Sequence, residues 1–511
     1  MREYAALFDV TSIQKYVFAS NKLKENLGAS FLVSDIYESM IASNIALKNI
    51  PQKVNGKYDG YIGGGNALFF FDNEDKAKEF VKEWTKSLLI LAPGITVASA
   101  MSKWDEKDFT KSRNELFDKL KGNKSKYITQ TITQRHGISA ECQSDGYSMD
   151  VWRDIFLDDG KIDKERSSYI SAATNAKVVA YDKAKNKIEN DYKNLLGNEF
   201  CFTGELDKLG QSKGSENHIA IVHIDGNSMG DRFKQLTSLE TTKQLSKDVE
   251  NAVKNSFKTL LQKIVSELAD PVKKEYLSLK PDGNKSILPI RPIILGGDDI
   301  TFVCEGRMGI YYAKIFMEEF AKQNVSDGKP LSSCAGIAVI KTKYPFYKGY
   351  QLAEELCANA KSRRRELKDE GSWLDFHIAY GGFSGELKEI RDLHYQAPLG
   401  SLIYRPYKLG DNGEFGFDTL IKNVRKLNEK DKNERQKYPN NKLKELREVL
   451  TLGQDAASTF VNEMNARELF LPVINNRKYN DELFDGGITP YFDMLELLEY
   501  YPKYELEEVN K

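Results

Sequence analysis

Apolar runs and helical periodicities alternate along the chain in an order that occurs twice. Tyr4 to Val10 is a predominantly apolar stretch that reads as a strand, and a segment around Leu23 to Asn49 reads as helical. Gly60 to Phe71 is an apolar hairpin with glycines at 63, 64 and 65. Residues 74 to 91 carry a helical apolar period, and 94 to 100 read as a further strand. Strand, helix, hairpin, helix, strand is the ferredoxin-like order, an open antiparallel sheet backed by helices.

The pattern returns at residue 218. His218 to Ile224 is a strand ending in Asp225, and residues 240 to 267 are helical. A hairpin follows from 288 to 305, then a helix at 311–323, a strand at 331–340, a helix at 352–369 and a last strand at 373–380. The expected fold class is α+β, with two ferredoxin-like palm units, a connecting domain and a helical carboxy-terminal domain. The expected boundaries are 1–101, 102–216, 217–399 and 400–511. In the connecting segment, 103–123 and 162–192 read as helices, and 130–149 mixes turn formers with polar residues.

Composition narrows the class. A chain of 511 residues, 41% hydrophobic and 29% charged, is a multidomain globular protein. Its net charge of −1 excludes a uniformly basic nucleic-acid binder. Locally, residues 422–447 hold ten Lys or Arg against four acids, either a solvated helical face broken near Pro439 or a dock for RNA or an acidic partner. The most apolar window, 88–100, is interrupted by Pro93-Gly94, so no membrane span is expected, and the first nine residues lack the features of a secretory signal. Five widely spaced cysteines fit a reducing cytoplasm, and Cys142 and Cys201 are too few for a structural zinc site.

The chemistry concentrates in the second unit. Gly296-Gly297-Asp298-Asp299 places two acids at the tip of an apolar hairpin, where the first unit has Gly63-Gly64-Gly65-Asn66. In isolation this is either an acidic turn facing water or a cation site, because adjacent carboxylates repel unless a cation neutralises them. In a ferredoxin-like sheet the first strand lies beside this hairpin, so Asp225 meets Asp298 and Asp299. Such an oxygen-rich set suits Mg²⁺ or Mn²⁺ and phosphoryl or nucleotidyl transfer. Gly226-Asn227-Ser228-Met229-Gly230 lies between strand and helix, where backbone amides can face a triphosphate or merely form a turn. Lys361, within a helix, is either a phosphate counter-charge or a surface lysine. No Gly-Lys-Ser/Thr phosphate loop is present.

The residues 16–30, Asp225-Gly226-Asn227-Ser228-Met229-Gly230, Gly296-Gly297-Asp298-Asp299, 352–361 and Tyr404-Arg405-Pro406-Tyr407 together resemble the large Cas10 subunit of type III CRISPR complexes. The resemblance implies an enzyme that joins ATP into cyclic oligoadenylate messengers when its complex binds foreign target RNA, with two ATP molecules held between the palms. It implies Asp225, Asp298 and Asp299 as catalytic acids and Asp225, Ile224 and Asp298 as metal positions. It further implies nucleotide contacts at Gly28, Ser30, Gly226, Asn227, Ser228, Gly230, Gly296, Gly297 and Lys361. The implied partners are other type III subunits, Csm4/Cmr3-like and small-subunit-like, together with CRISPR RNA and target RNA. The chain departs from many relatives in having no His-Asp dipeptide of an amino-terminal nuclease domain and only two cysteines where a four-cysteine zinc site is expected. Adenylate transfer to S-adenosylmethionine, a non-catalytic scaffold and a diguanylate-cyclase-like homodimer are the alternative readings.

Overall fold

The computed structural model describes residues 2–507 apart from 45–46, 48, 52, 55–56, 127–139, 155–166, 210–216, 383–384, 399, 412, 414–415, 431–432, 434, 473–478 and 480–481. Part of the expected 130–149 segment and the start of the expected 162–192 helix lie outside the described residues.

The first unit comprises β1 (Tyr4–Thr11), α1 (Ile13–Val17), α2 (Leu23–Asp35), β2 (Gly60–Gly63), β3 (Asn66–Phe71), α3 (Glu74–Leu91) and β4 (Thr96–Lys103). Its sheet runs β2-β3-β1-β4. The helix expected over 23–49 ends at Asp35, and a separate short helix covers Ser39–Ser43. Asn73 caps α3 by accepting from the backbone N–H of Lys76, which places its start one residue later.

The connecting segment contributes α4 (Phe109–Lys126) and α5 (Ala172–Asp191). The latter is shorter than expected, because Ser168–Ile170 pairs as a strand with Val151–Arg153 and Ser171 caps the helix through Thr174.

The second unit comprises β5 (His218–Gly226), α6 (Met229–Lys234), α7 (Leu239–Leu268), β6 (Ile290–Gly296), β7 (Asp299–Glu305), α8 (Gly309–Ala321), β8 (Ser333–Lys341), α9 (Phe346–Glu366) and β9 (Trp373–Ile378). Its sheet repeats the first order as β6-β7-β5-β8 and then extends through β9 to β10 (Tyr407–Lys408). That last strand comes from beyond residue 400, so the carboxy-terminal segment is built into the palm sheet. The remainder of that segment is largely helical: α11 (Phe417–Leu427), α12 (Asn440–Thr451), α13 (Gln454–Ala466) and α14 (Tyr491–Tyr500), preceded by α10 (Leu387–His394).

Strand alternation decides which side chains face which core. Ala220, Val222 and Ile224 of β5 join the core built with α7 and α8. Ile219 and Ile221 point the other way, into a core shared with α9 and with the first unit's Phe8, Phe18 and Leu27. The period of two therefore directs His223 and Asp225 towards the side where the palms meet.

Candidate active site at the junction of two palms

Asp225 stands directly opposite Asp299 in the antiparallel ladder of β5 and β7. Asp298 lies in the two-residue turn closed by the Gly296/Asp299 pair, with Gly297 at φ +61°, a left-handed conformation that glycine adopts without strain. The turn docks on the end of β5 through the Gly226 N–H, which donates to the Asp298 carbonyl at 3.0 Å. A Cβ on Gly226 would lie 2.8 Å from the Asp298 Cβ, so only glycine permits this approach. Ile224 sits between Ile300 and Ala335 in the ladder.

The electrostatics are those of crowded acids. Burial, with the charges of Asp225 and Asp299 added, pushes Asp298 up to about 6. Burial and Asp225 push Asp299 up to about 7, with Glu354 adding to the rise and a hydrogen bond from Gln14 opposing it. Asp299 Oδ1 is buried without a hydrogen-bond partner among the described residues. His223 Nδ1 is 3.4 Å from it, but burial pushes that imidazole below its ordinary value, so it brings no charge to the acids at neutral pH. The Lys361 ammonium meets Asp225 Oδ2 at 2.5 Å. Burial lowers the Lys361 pKa, but Asp225 outweighs it and the net change is upward.

The strand-to-helix loop divides by role. Asn227 is buried and committed to β8, its amide donating to Ser332 Oγ at 3.0 Å and its Oδ1 accepting from Cys334 Sγ at 3.3 Å. Ser228 takes φ +59° and is exposed, with its Oγ accepting from Arg364 Nη2 at 3.4 Å. Gly230 is exposed, and neither Gly230 nor Gly296 has an atom within 4 Å of the place a Cβ would occupy. Gly230 and Gly296 thus have room around them, whereas Asn227 fixes the loop.

Gly28 is placed elsewhere: a Cβ there would lie 1.8 Å from the Lys177 carbonyl oxygen of α5, so its missing side chain admits that helix. Ser30 lies half-buried on the same α2.

The first unit reaches the acids through a residue that sequence reasoning missed. Gln14 of α1 donates from Nε2 to Asp299 Oδ2 at 3.3 Å. Around this contact the Phe18 ring stacks on Tyr350 of α9, centroids 3.7 Å apart. Arg113 of α4 donates to the carbonyls of Phe233, Lys234 and Leu236. Asp9 was also missed. It pairs with Asn66 as Asp225 pairs with Asp299, and it bonds Lys124 of α4, the helix that follows the fourth strand as α9 does in the second unit. Its signal was available, since Asp9 lies near the end of an apolar strand as Asp225 does.

Among the described residues no group of three or more His, Cys, Asp or Glu is assembled as a metal site. The donor set nevertheless fits a hard cation: two carboxylates on adjacent elements and a third with a partner-free buried oxygen are oxygen ligands in surplus of positive charge. Cys142 and Cys201 contact different elements, Thr174 and the Ser286 carbonyl. The basic run at 422–447 is engaged within the chain at several points. Arg425 donates to the Glu505 carbonyl, Lys442 meets Glu445 and Glu463, and Arg447 lies over Tyr380. No described helix is long and apolar enough to cross a membrane.

Two ferredoxin-like units fused in one chain, with acids opposed across the central strands of the second, define a tandem-palm architecture. Residues 218–370 match the family described as Cas10/Cmr2, second palm domain. None of the curated protein sequences matches the chain. Among solved structures, Csm1 of T. onnurineus is 14% identical with a TM-score of 0.53, covering 100% of this chain and 70% of its own. A Csm1-Csm4 cassette in complex with cA3 is 13% identical with a TM-score of 0.54, covering 98% and 70%. The same cassette in complex with cA4 gives 12% and 0.53, covering 97% and 70%. At these identities the likeness establishes the fold.

Proposed function

We propose that the chain is the large subunit of a type III CRISPR effector and that it converts ATP to cyclic oligoadenylates when its complex engages target RNA. The single observation that carries this reading is Asp225 facing Asp299 in register, with Asp298 held in the adjoining turn. The Csm1-Csm4 cassettes of the same fold are in complex with ATP, cA3 and cA4, which supports ATP as substrate and a Csm4-like protein as partner.

In this reaction the 3′-hydroxyl oxygen of one nucleotide attacks the α-phosphorus of another; the new O–P bond forms, the bond to pyrophosphate breaks and the hydroxyl proton passes to water. Asp225 and Asp298 would hold Mg²⁺ or Mn²⁺, with the strand at Ile224 setting their direction. Such an ion, when bound, lowers the pKa of the attacking hydroxyl and neutralises phosphate oxygens. Asp299 is oriented by Gln14, which ties the acids to the first palm. Gly226 seats the acidic turn against the end of β5, Ser228 and Gly230 leave the start of α6 open to a triphosphate, and Lys361 and Arg364 supply positive charge beside it. Gly296 and Gly297 keep the hairpin tip free of side chains. Gly28 and Ser30 contribute through the α2 packing that sets the first palm.

The test is to incubate the assembled complex with ATP, Mn²⁺ and target RNA. Linked oligoadenylates are expected from the native protein and none from the D298A/D299A variant. Absence of any ATP-derived product, or undiminished synthesis by that variant, would overturn the assignment.

A further inference from the structure

The ion pair at the acidic centre has a twin. Lys361 lies on α9, the helix following the fourth strand of the second palm, and its Nζ meets Asp225 Oδ2 at 2.5 Å. Lys124 lies on α4, the helix following the fourth strand of the first palm, and pairs with Asp9. Asp9 and Asp225 hold equivalent places on the central strands, opposite Asn66 and Asp299 respectively. The first palm has Gly65 and Asn66 where the second has Asp298 and Asp299, yet the lysine pairs all the same. The pair thus forms without help from the acidic hairpin tip.

Within the second palm this pairing has a chemical consequence. Lys361 keeps only 21% of its side chain exposed and Asp225 35%, so the two charges are poorly screened. While the ammonium is in contact, Asp225 offers a divalent cation little net charge. Three residues further along the same helix, Arg364 presents Nη2 to Ser228 Oγ at 3.4 Å, and its Nε is buried without a hydrogen-bond partner among the described residues. Positions three apart share a helix face, so Lys361 and Arg364 flank one space between Asp225 and the start of α6. An anion arriving there competes with Asp225 for the lysine.

We propose that Lys361 is a counter-ion latch: without nucleotide its ammonium occupies Asp225 in place of a divalent cation, and the phosphates of an incoming nucleoside triphosphate draw it away. Cation and nucleotide then enter together, and cation alone is held off. The inference rests on the metal-dependent reading of the site given above, but its test is separate from synthesis.

The test measures Mn²⁺ binding by electron paramagnetic resonance on the full chain, with and without a non-hydrolysable ATP analogue. The native protein should bind Mn²⁺ weakly alone and more tightly with the analogue. Because a contacting cation biases a carboxylate by about one to three powers of ten, K361M and K361Q should bind Mn²⁺ alone roughly ten-fold or more tightly, and the analogue should add little. K361R keeps the charge and should behave as the native chain, and K124M should leave Mn²⁺ affinity unchanged. Equal or weaker Mn²⁺ affinity in both K361M and K361Q, including no binding in any of the proteins, overturns the latch. A gain in Mn²⁺ affinity in a protein that makes no oligoadenylate would sustain the latch and sink the functional reading.

Discussion

Gln14 of the first palm donates a hydrogen bond to Asp299 of the second, Nε2 to Oδ2 at 3.3 Å, so an acid of the candidate centre is oriented by the unit that lacks the acidic hairpin. A donor to an ionised carboxylate favours the charged form, and Gln14 lowers an Asp299 pKa that burial and Asp225 raise. Q14L should therefore move the acidic limb of the pH–rate profile upward and slow ATP conversion by roughly ten-fold, the low end for a hydrogen bond to a charged group. Q14E, which adds a like charge, should be slower still. Rate profiles of the assembled complex from about pH 5.5 to 8.5 check this, and an unshifted limb in Q14L would show that the contact positions nothing.

The acid pair also links stability to pH. Asp298 and Asp299 are pushed up to about 6 and about 7, above the ordinary carboxylate value, in each case by burial first. A carboxyl whose folded pKa is raised loses nothing while protonated and destabilises the fold as pH climbs from its unfolded value through its folded one. The cation-free chain should accordingly lose stability between about pH 4 and pH 7 from this pair, and added Mn²⁺ should restore it at higher pH. Asp299 keeps 28% of its side chain exposed, so screening moderates the cost. D299N should stabilise the cation-free protein by about 1 kcal/mol near pH 8, by less near pH 5, and leave it unchanged only below about pH 4, as read by chemical denaturation.

The palms were legible because their signals are local. Apolar runs such as Ile219–Ile224 and Ile300–Val303 are buried on both faces and bounded by glycine or acid, which leaves few alternatives to strands. Asp225 and the acidic hairpin could be joined because the ferredoxin-like order places those strands side by side. Gln14 could not, since its role depends on how two units dock, and one polar residue after a strand carries no such information. Gly28 hides a similar demand: α5 arrives from about 150 residues away to fill the space beside it, which no local pattern announces. The basic run at 422–447 stayed open between a solvated face and a docking patch because its partners, Glu463 and the Glu505 carbonyl, are distant in sequence.

Arg405 is enclosed by the carboxy-terminal helices and holds two buried acids. Its Nη1 meets Glu496 Oε2 at 2.7 Å, and its Nε lies 3.6 Å from Asp493 Oδ1. Tyr395 and Tyr407 donate to the same acids, each at 2.7 Å. Removing the guanidinium leaves both carboxylates without a counter-charge in a dry core. R405M should cost about 3–5 kcal/mol in denaturant unfolding and loosen β10 from β9, whereas a R405M/D493N/E496Q triple variant should recover much of the loss. If R405M unfolds at the native denaturant midpoint, the network contributes nothing to holding the last domain on the palm.

Gly28 separates packing from nucleotide contact. A Cβ there would sit 1.8 Å from the Lys177 carbonyl oxygen and 3.2 Å from the Tyr181 nitrogen, both backbone atoms of α5 that cannot rotate away. G28A must push α2 and α5 apart, an overpacking that costs about 1–3 kcal/mol. The same displacement strains the Lys177 ammonium, which donates to the Tyr16 carbonyl at 2.9 Å. The variant should melt earlier yet bind a non-hydrolysable ATP analogue with native affinity at temperatures where it stays folded. Calorimetric melting and equilibrium binding on one preparation distinguish the two roles. Unchanged melting with weakened analogue binding would return Gly28 to the nucleotide site, and the close approach of α5 would then have to be relieved when nucleotide binds.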